Sequence, residues 1–156
     1  MKFKKAVFLM VFTFYLGSVS IAQNQKKSIK MNESEYNPLT KEEERVIVNK
    51  GTEYPYTGKY NKHFEKGVYH CKACDSPLYN SNSKFESNCG WPSFDDEIKD
   101  AVTRHPDYKL GYKRIEICCA KCGGHLGHVF EGEKFTEKNV RHCVNSLSLI
   151  FKPNKK

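Results

Sequence analysis

"GVYHCKAC", residues 67–74, and "YKRIEICCAKC", residues 112–122, decide the reading of the fold. Each runs an apolar, β-branched and aromatic stretch straight into a C-x-x-C turn. Working outward, "SPLYNS" (76–81) and "VNSLSLIFK" (144–152) are further strand candidates, and from Gly51 onward short apolar stretches are punctuated by Gly, Pro, Asn and Asp. "LTKEEERVIV" (39–48) opens a short helix, because Thr40 can cap it and Glu43, three residues on, completes a capping box. "DDEIKDAV" (95–102) has room for one helical turn. The expected architecture is a small, mainly antiparallel β domain.

Four of the seven cysteines fall into the two pairs. Cys71 with Cys74, and Cys119 with Cys122, can each grip one side of a tetrahedral zinc ion. Four thiolates fill that shell and leave no position for substrate or water, so such a metal is structural. Two local disulfides are the alternative. A thioredoxin-type redox pair is the third reading, but neither pair opens a helical pattern after a strand. Cys118 breaks the two-residue spacing and reads as a spare buried or semi-buried thiol.

Cys89, in "SNCGWPSF" (87–94), and Cys143, in "RHCVNS" (141–146), remain. A structural disulfide would account for both. The flanking Arg141 and His142 argue instead for a reactive Cys143, because nearby positive charge lowers a thiol pKa from about 8.5. "HLGHVF" (125–130) adds His125 and His128. On a regular strand they would point to opposite faces, while a turn at Gly127 would let both face one pocket. Zinc ligation or a plain surface role competes with general acid work near neutral pH. Trp91, the only tryptophan, is either core packing or a substrate-facing wall.

The 156 residues carry a net charge of +8, and Lys2, Lys4 and Lys5 of the leader contribute to it. The remaining charges are interspersed, without the basic tract of a nucleic-acid face, so no nucleic-acid partner is expected. "MKFKK", an apolar run and the small residues Ser20 and Ala22 have the layout of a signal peptide over residues 1–22, which predicts an exported protein, periplasmic or secreted. The unbroken apolar run from Ala6 to Leu16 is short for a membrane span. Residues 23–38 read as a flexible tether, and residues 39–152 as the functional domain.

Five stretches in this order, "GTEYPYTGKY" (51–60), "CKAC" (71–74), "CGWPSF" (89–94), "CAKCGGHLGHVF" (119–130) and "RHCVNSLSL" (141–149), resemble the B-type peptide methionine sulfoxide reductases. These enzymes reduce the R epimer of methionine sulfoxide. The resemblance runs from about Leu39 to Phe151. It implies two antiparallel sheets enclosing the site, one structural zinc on Cys71, Cys74, Cys119 and Cys122, no organic cofactor, and a monomer. Carried over by position, Cys143 matches the nucleophile and Cys89 the resolving cysteine. His125, His128, Arg141 and Asn145 match active-site positions, and Trp91 matches the wall that holds the substrate methyl. His128 is the first choice of proton donor, with His125 assisting. The implied cycle oxidises Cys143 to a sulfenic acid, closes a Cys143–Cys89 disulfide and reopens it with a thioredoxin-like donor, on oxidised proteins or peptides. Two features depart from the pattern. Gly132, between Glu131 and Glu133, stands where many members carry an aspartate, and Cys118 is a thiol the pattern does not require.

Overall fold

Burial alternates residue by residue along β1 (Gly67–Cys71), as it must when one face of a strand is packed. The alternation places Tyr69 and Cys71 inside. β1 pairs antiparallel with β2 (Pro77–Asn80) on one side and β9 (Leu149–Pro153) on the other, giving a three-stranded sheet. The second sheet holds six antiparallel strands. They are β3 (Lys84–Phe85), β4 (Ser93–Phe94), β5 (Val102–Asp107), β6 (Arg114–Cys119), β7 (His125–Glu131) and β8 (Val140–Val144), in the spatial order β3-β4-β8-β7-β6-β5. The expected mainly β fold with two antiparallel sheets is the one observed.

The computed structural model describes residues 37–155. The expected leader (1–22) and tether residues 23–36 lie outside the described residues. Asn37, at the end of the expected tether, is already tied to the first cysteine turn. Its amide donates to the Ala73 carbonyl at 2.8 Å and its Nδ2 to the Lys72 carbonyl at 2.9 Å.

The helix α1 (Lys41–Ile47) begins as its sequence requires. Thr40 Oγ1 accepts from the Glu43 amide at 3.3 Å, and a Glu43 carboxylate oxygen accepts from the Thr40 amide at 2.8 Å. Val46 and Ile47 are the helix residues that enter the core. Residues 95–101 form turns rather than a helix, and the chain enters β5 directly at Val102.

The two sheets meet through aromatic side chains. Tyr79 of β2 stacks on Phe94 of β4 with centroids 4.3 Å apart, and Tyr69 meets the same ring edge-on at 5.1 Å. Such pairs contribute about 0.5–1.5 kcal/mol each beyond the burial itself. Phe94 precedes no thiol, but its neighbour Ser93 lies directly beside Cys143 across the β4–β8 ladder, so packing between the sheets fixes the position of that ladder.

Candidate active site and metal centre

The two C-x-x-C turns are built alike. In the first, the Asp75 amide donates to the Cys71 carbonyl at 2.9 Å; in the second, the Gly123 amide donates to the Cys119 carbonyl at 2.8 Å. Each turn closes through a left-handed residue, Asp75 (φ 59°) or Gly123 (φ 71°). This curl brings the second thiol of each pair back over the strand end. β1 belongs to the small sheet and β6 to the large one, so the four thiols meet between the sheets.

Cys71 Sγ lies 3.7 Å from Cys122 Sγ, and Cys74 Sγ 3.6 Å from Cys119 Sγ. All four sulfurs fall within 4.8 Å of one another and are buried. A disulfide needs about 2.05 Å. A tetrahedron of Zn–S bonds about 2.3 Å long has edges of about 3.8 Å, so the spacing fits a four-coordinate soft metal. Without a cation the thiols share protons. Hydrogen bonding pulls Cys119 and Cys74 down while pushing Cys71 and Cys122 up, and four thiolates cannot coexist there uncompensated. The four residues could therefore hold a metal.

The other thiols meet elsewhere. β8 runs through the large sheet between β4 and β7, and Cys143 pairs in register with Ser93 on one side and His128 on the other. Cys89, on the loop before β4, places its sulfur 3.8 Å from that of Cys143. Cys89 Sγ also accepts from Ser87 Oγ at 3.0 Å and Arg141 Nη1 at 3.4 Å, with Ser93 Oγ at 3.5 Å. The hydrogen bond from Cys143 is the largest influence on Cys89 and holds its pKa down to about 4. The same bond, with burial, pushes Cys143 well above its ordinary range.

Of the two flanking groups, Arg141 does favour the Cys143 thiolate, by charge and by hydrogen bonding, though Cys89 and burial outweigh it, while His142 does not reach the thiol. Arg141 shares the face of Cys143, but its guanidinium reaches Cys89 and forms a two-pronged pair with Glu133, at 2.8 and 2.9 Å. Glu133, not Glu131, is thus the carboxylate beside the thiols. His142 alternates to the opposite face. It is fully buried against Tyr79 Oη (3.2 Å), Glu97 (3.2 Å) and Arg104 (3.3 Å), and burial lowers its pKa to about 4.

Cys143 opens onto a cavity of about 120 Å³ walled by Trp91 and Phe130, with Arg114, His128 and Asn145 also lining it. Pockets for whole drug-sized ligands run to about 300–1,000 Å³, so the volume of this one is closer to that of a single side chain. A cavity of about 420 Å³ lies beside α1, but its lining includes no thiol and no histidine. Cys143 and His128 both line the smaller one. Trp91 is held by its Nε1, which donates to the Glu53 carbonyl at 3.2 Å. Asn145 spends its amide on the backbone, accepting from the Glu53 amide (3.0 Å) and donating to the Leu126 carbonyl (3.0 Å). The buried Glu53 carboxylate in turn accepts from the Ser146 and Leu147 amides at 2.6 and 3.1 Å. Nothing in the sequence marked Glu53 as the tie joining these pieces.

"HLGHVF" is a strand, not a turn, yet its histidines come together. The β6–β7 register slips between Ile117 and Cys118, leaving one extra residue on β7. That bulge breaks the two-residue alternation, and the His125 and His128 rings end with centroids 5.6 Å apart. A Cβ on Gly127 would collide with the Cys143 carbonyl oxygen, so only glycine lets β7 and β8 approach there. His125 Nδ1 lies 2.7 Å from Glu116, whose other oxygen accepts from Lys50 at 2.7 Å. Although burial would raise it, these partners bring Glu116 down to about 2. His128 Nε2 lies 2.8 Å from Asp107. Neither Asp107 nor Glu116 was singled out by sequence. Cys118 is buried, and desolvation raises it to about 12, the profile of an inert thiol.

A family model described as the SelR domain matches residues 39–153. Three relatives are similar over most of the chain. The chloroplastic peptide methionine sulfoxide reductase B2 of Arabidopsis thaliana is 51% identical over 137 residues, which cover 86% of this chain and 67% of the relative. The chloroplastic B3 enzyme of Oryza sativa is 52% identical over 81% of this chain and 55% of its own length. Peptide methionine sulfoxide reductase 2 of Saccharomyces cerevisiae is 46% identical over 92% of this chain and 86% of its own. Two of these relatives are designated chloroplastic, placed in an organelle rather than exported, and this overturns the expected export to the periplasm or beyond the cell. The order of motifs, the paired thiols and the SelR match over residues 39–153 converge on one conclusion: the chain belongs to the B-type peptide methionine sulfoxide reductases.

Proposed function

We propose that the domain spanning residues 39–152 reduces the R epimer of methionine sulfoxide in proteins and peptides, with Cys143 as nucleophile and Cys89 as resolving thiol. Family membership carries the coarser part, an oxidoreductase of methionine sulfoxide. The observation that best supports the finer part is the pairing of two free thiols 3.8 Å apart at a cavity sized for one side chain.

A sulfoxide sulfur is a weak electrophile, so thiolate attack needs a proton delivered to the oxygen. The substrate methyl packs on Trp91 and Phe130, its sulfur faces Cys143, and its oxygen lies toward His128, which lines the same cavity. Fixing methyl, oxygen and attacking sulfur leaves one direction for the rest of the side chain, which selects one epimer. His125 supports His128 from behind, and Asn145 holds the β7 and Trp91 walls together through Leu126 and Glu53. Oxygen transfer releases methionine and leaves Cys143 as a sulfenic acid. Cys89 condenses with it, water leaves, and a thioredoxin-like dithiol reduces the disulfide by exchange. Arg141 donates to the Cys89 sulfur and so orients it beside Cys143 for that condensation.

Cys71, Cys74, Cys119 and Cys122 would hold one zinc ion, which supplies a closed, structural link between the sheets and no open coordination position. The enzyme would act as a monomer.

The test incubates purified protein with separate R and S epimers of a methionine sulfoxide peptide and dithiothreitol. Turnover of R alone is expected. Equal rates on both epimers, or none with fully reduced and zinc-loaded protein, would overturn the assignment.

A further inference from the structure

Asp107 ends β5, outside every sequence motif above. Its carboxylate accepts three hydrogen bonds: Oδ1 from the Lys109 amide at 3.0 Å, and Oδ2 from Arg114 Nη2 at 2.6 Å and His128 Nε2 at 2.8 Å. A carboxylate so surrounded is ionised and has no proton to give, so the hydrogen between it and His128 belongs to the imidazole. Neutral His128 is thereby fixed with its proton on Nε2 and a lone pair on Nδ1. The hydrogen bond His128 makes among the described residues runs through Nε2, and the ring lines the cavity beside Cys143, its register partner.

We propose that Asp107 is a positioning residue: by holding the Nε2–H of His128 it presents a bare Nδ1, which takes the thiol proton of Cys143 and returns it to the sulfoxide oxygen. The idea rests on the reductase reading and deepens it. The S–H bond of Cys143 breaks and its proton passes to Nδ1. The thiolate attacks the sulfoxide sulfur and forms an S–S bond, and that proton moves to the oxygen; the hydroxyl then passes to Cys143 as both the substrate S–O bond and the new S–S bond break. The sum is thiol plus sulfoxide giving sulfenic acid plus thioether. One electron pair leaves Cys143 and reaches the substrate sulfur, and His128 ends neutral as it began.

The surroundings favour a base at rest. Burial holds His128 below its ordinary pKa, with Arg114 and His125 also opposing protonation against the pull of Asp107. Arg114 neutralises Asp107, so the aspartate orients the ring without keeping it charged. Glu116, opposite His128 on β6, is engaged by Lys50 and His125. On the other side stand Cys143 and, beyond it, Cys89 and Arg141. Cys143, itself held as a thiol, needs such a base.

The experiment reads the tautomer directly, by long-range proton–nitrogen correlation NMR on the reduced, metal-loaded full chain, with His128→Gln to assign the signals. Neutral His128 should carry its proton on Nε2 in the wild type, and Asp107→Asn should mix the tautomers. In single turnover, Asp107→Asn should release methionine about 10²-fold more slowly, the range of general acid–base effects. Its acidic limb should also move to lower pH, because the charge that raises the His128 pKa is gone, and Asp107→Glu should recover part of the rate. A purely structural role would leave the limb in place. Wild-type His128 found with its proton on Nδ1, or charged at neutral pH, refutes the role of Asp107 while leaving the reductase reading intact. An Asp107→Asn chain with unchanged tautomer and rate does the same. A wild type with the expected tautomer but inert toward the R epimer refutes the reductase reading, and the proton return with it.

Discussion

Replacing Cys89 with serine separates two influences that the wild type combines. The sulfurs lie 3.8 Å apart, and the hydrogen bond from Cys143, aided by Ser87 and Ser93 against burial, holds Cys89 as the thiolate of the pair. A second charge on Cys143 would face it. Two unit charges at the observed 3.8 Å repel by about 4 kcal/mol at an effective dielectric of about 20. At about 1.4 kcal/mol per pH unit, that is about three pH units on the ionisation of Cys143. Solvent at the half-exposed Cys89 loop weakens the repulsion, so a fall of about one to three pH units is expected in Cys89→Ser. The serine removes the negative charge and leaves Arg141 in place.

The assay is single-turnover methionine release from an R-sulfoxide peptide, followed from mildly acidic to mildly alkaline pH, with iodoacetamide alkylation of Cys143 in parallel. Both profiles should move to lower pH in Cys89→Ser. The variant should then stop after one methionine per chain when a thioredoxin-type donor is the only reductant. Coincident wild-type and variant profiles, or a move to higher pH, would refute the reasoning that Cys89 restrains Cys143.

The metal centre is tested by composition and melting. One zinc per chain is expected, and Cys71→Ser should lose it with a marked fall in Tm, since structural zinc sites contribute about 10 kcal/mol or more to folding; a folded, metal-free wild type with two C-x-x-C disulfides would sink the zinc assignment. Glu133→Ala should slow turnover about five-fold, because a charge-assisted pair with Arg141 on a partly exposed carboxylate is worth about 1 kcal/mol, whereas Glu131→Ala should leave the rate unchanged. Equal effects of the two would show that neither acid positions Arg141. His142 predicts acid sensitivity of the fold itself. The buried ring binds a proton only below a pKa of about 4 in the folded chain, against an ordinary value of 6.5 when unfolded. Stability contributed by the neutral ring is therefore present above that window and lost as pH falls through it, by about 3 kcal/mol in all. Tm measured against pH should fall less steeply in His142→Asn than in the wild type.

The cysteine spacings and the capping box were legible in the sequence because both are local. Two residues between thiols set a turn, and three residues between Thr40 and Glu43 set a helix start. The carboxylates behind the histidines were not, because strand pairing rather than spacing brings them there. Glu116 and His128 stand opposite each other only through the β6–β7 ladder, and Asp107 ends a strand whose "VTRHPD" sequence shows almost no apolar alternation. The bulge on β7 carried no signal beyond Gly127. Adjacency misled for one neighbour only: alternation sends His142 to the opposite face, while Arg141 stays beside Cys143 and also bonds its partner thiol.

The two thiols of the pair differ in how firmly the fold holds them, and that difference suits the proposed cycle. Cys143 lies mid-strand between two ladders, with the Val144 amide bound to the Pro92 carbonyl at 2.9 Å and no room at Gly127 for even a methyl group. It cannot move far. Cys89 sits between Asn88 (φ 56°) and Gly90 (φ 96°), both left-handed, on a loop tied to Tyr56 through the Asn88 and Gly90 carbonyls, each at 2.7 Å. Closing a gap of 3.8 Å to a bond of about 2.05 Å must therefore come from Cys89 and its loop. In the proposed cycle an oxidised Cys143 keeps its place in the strand while Cys89 closes on it from the loop. That order would leave the cavity intact, since its Trp91 and Phe130 walls would not have to part for the disulfide to form.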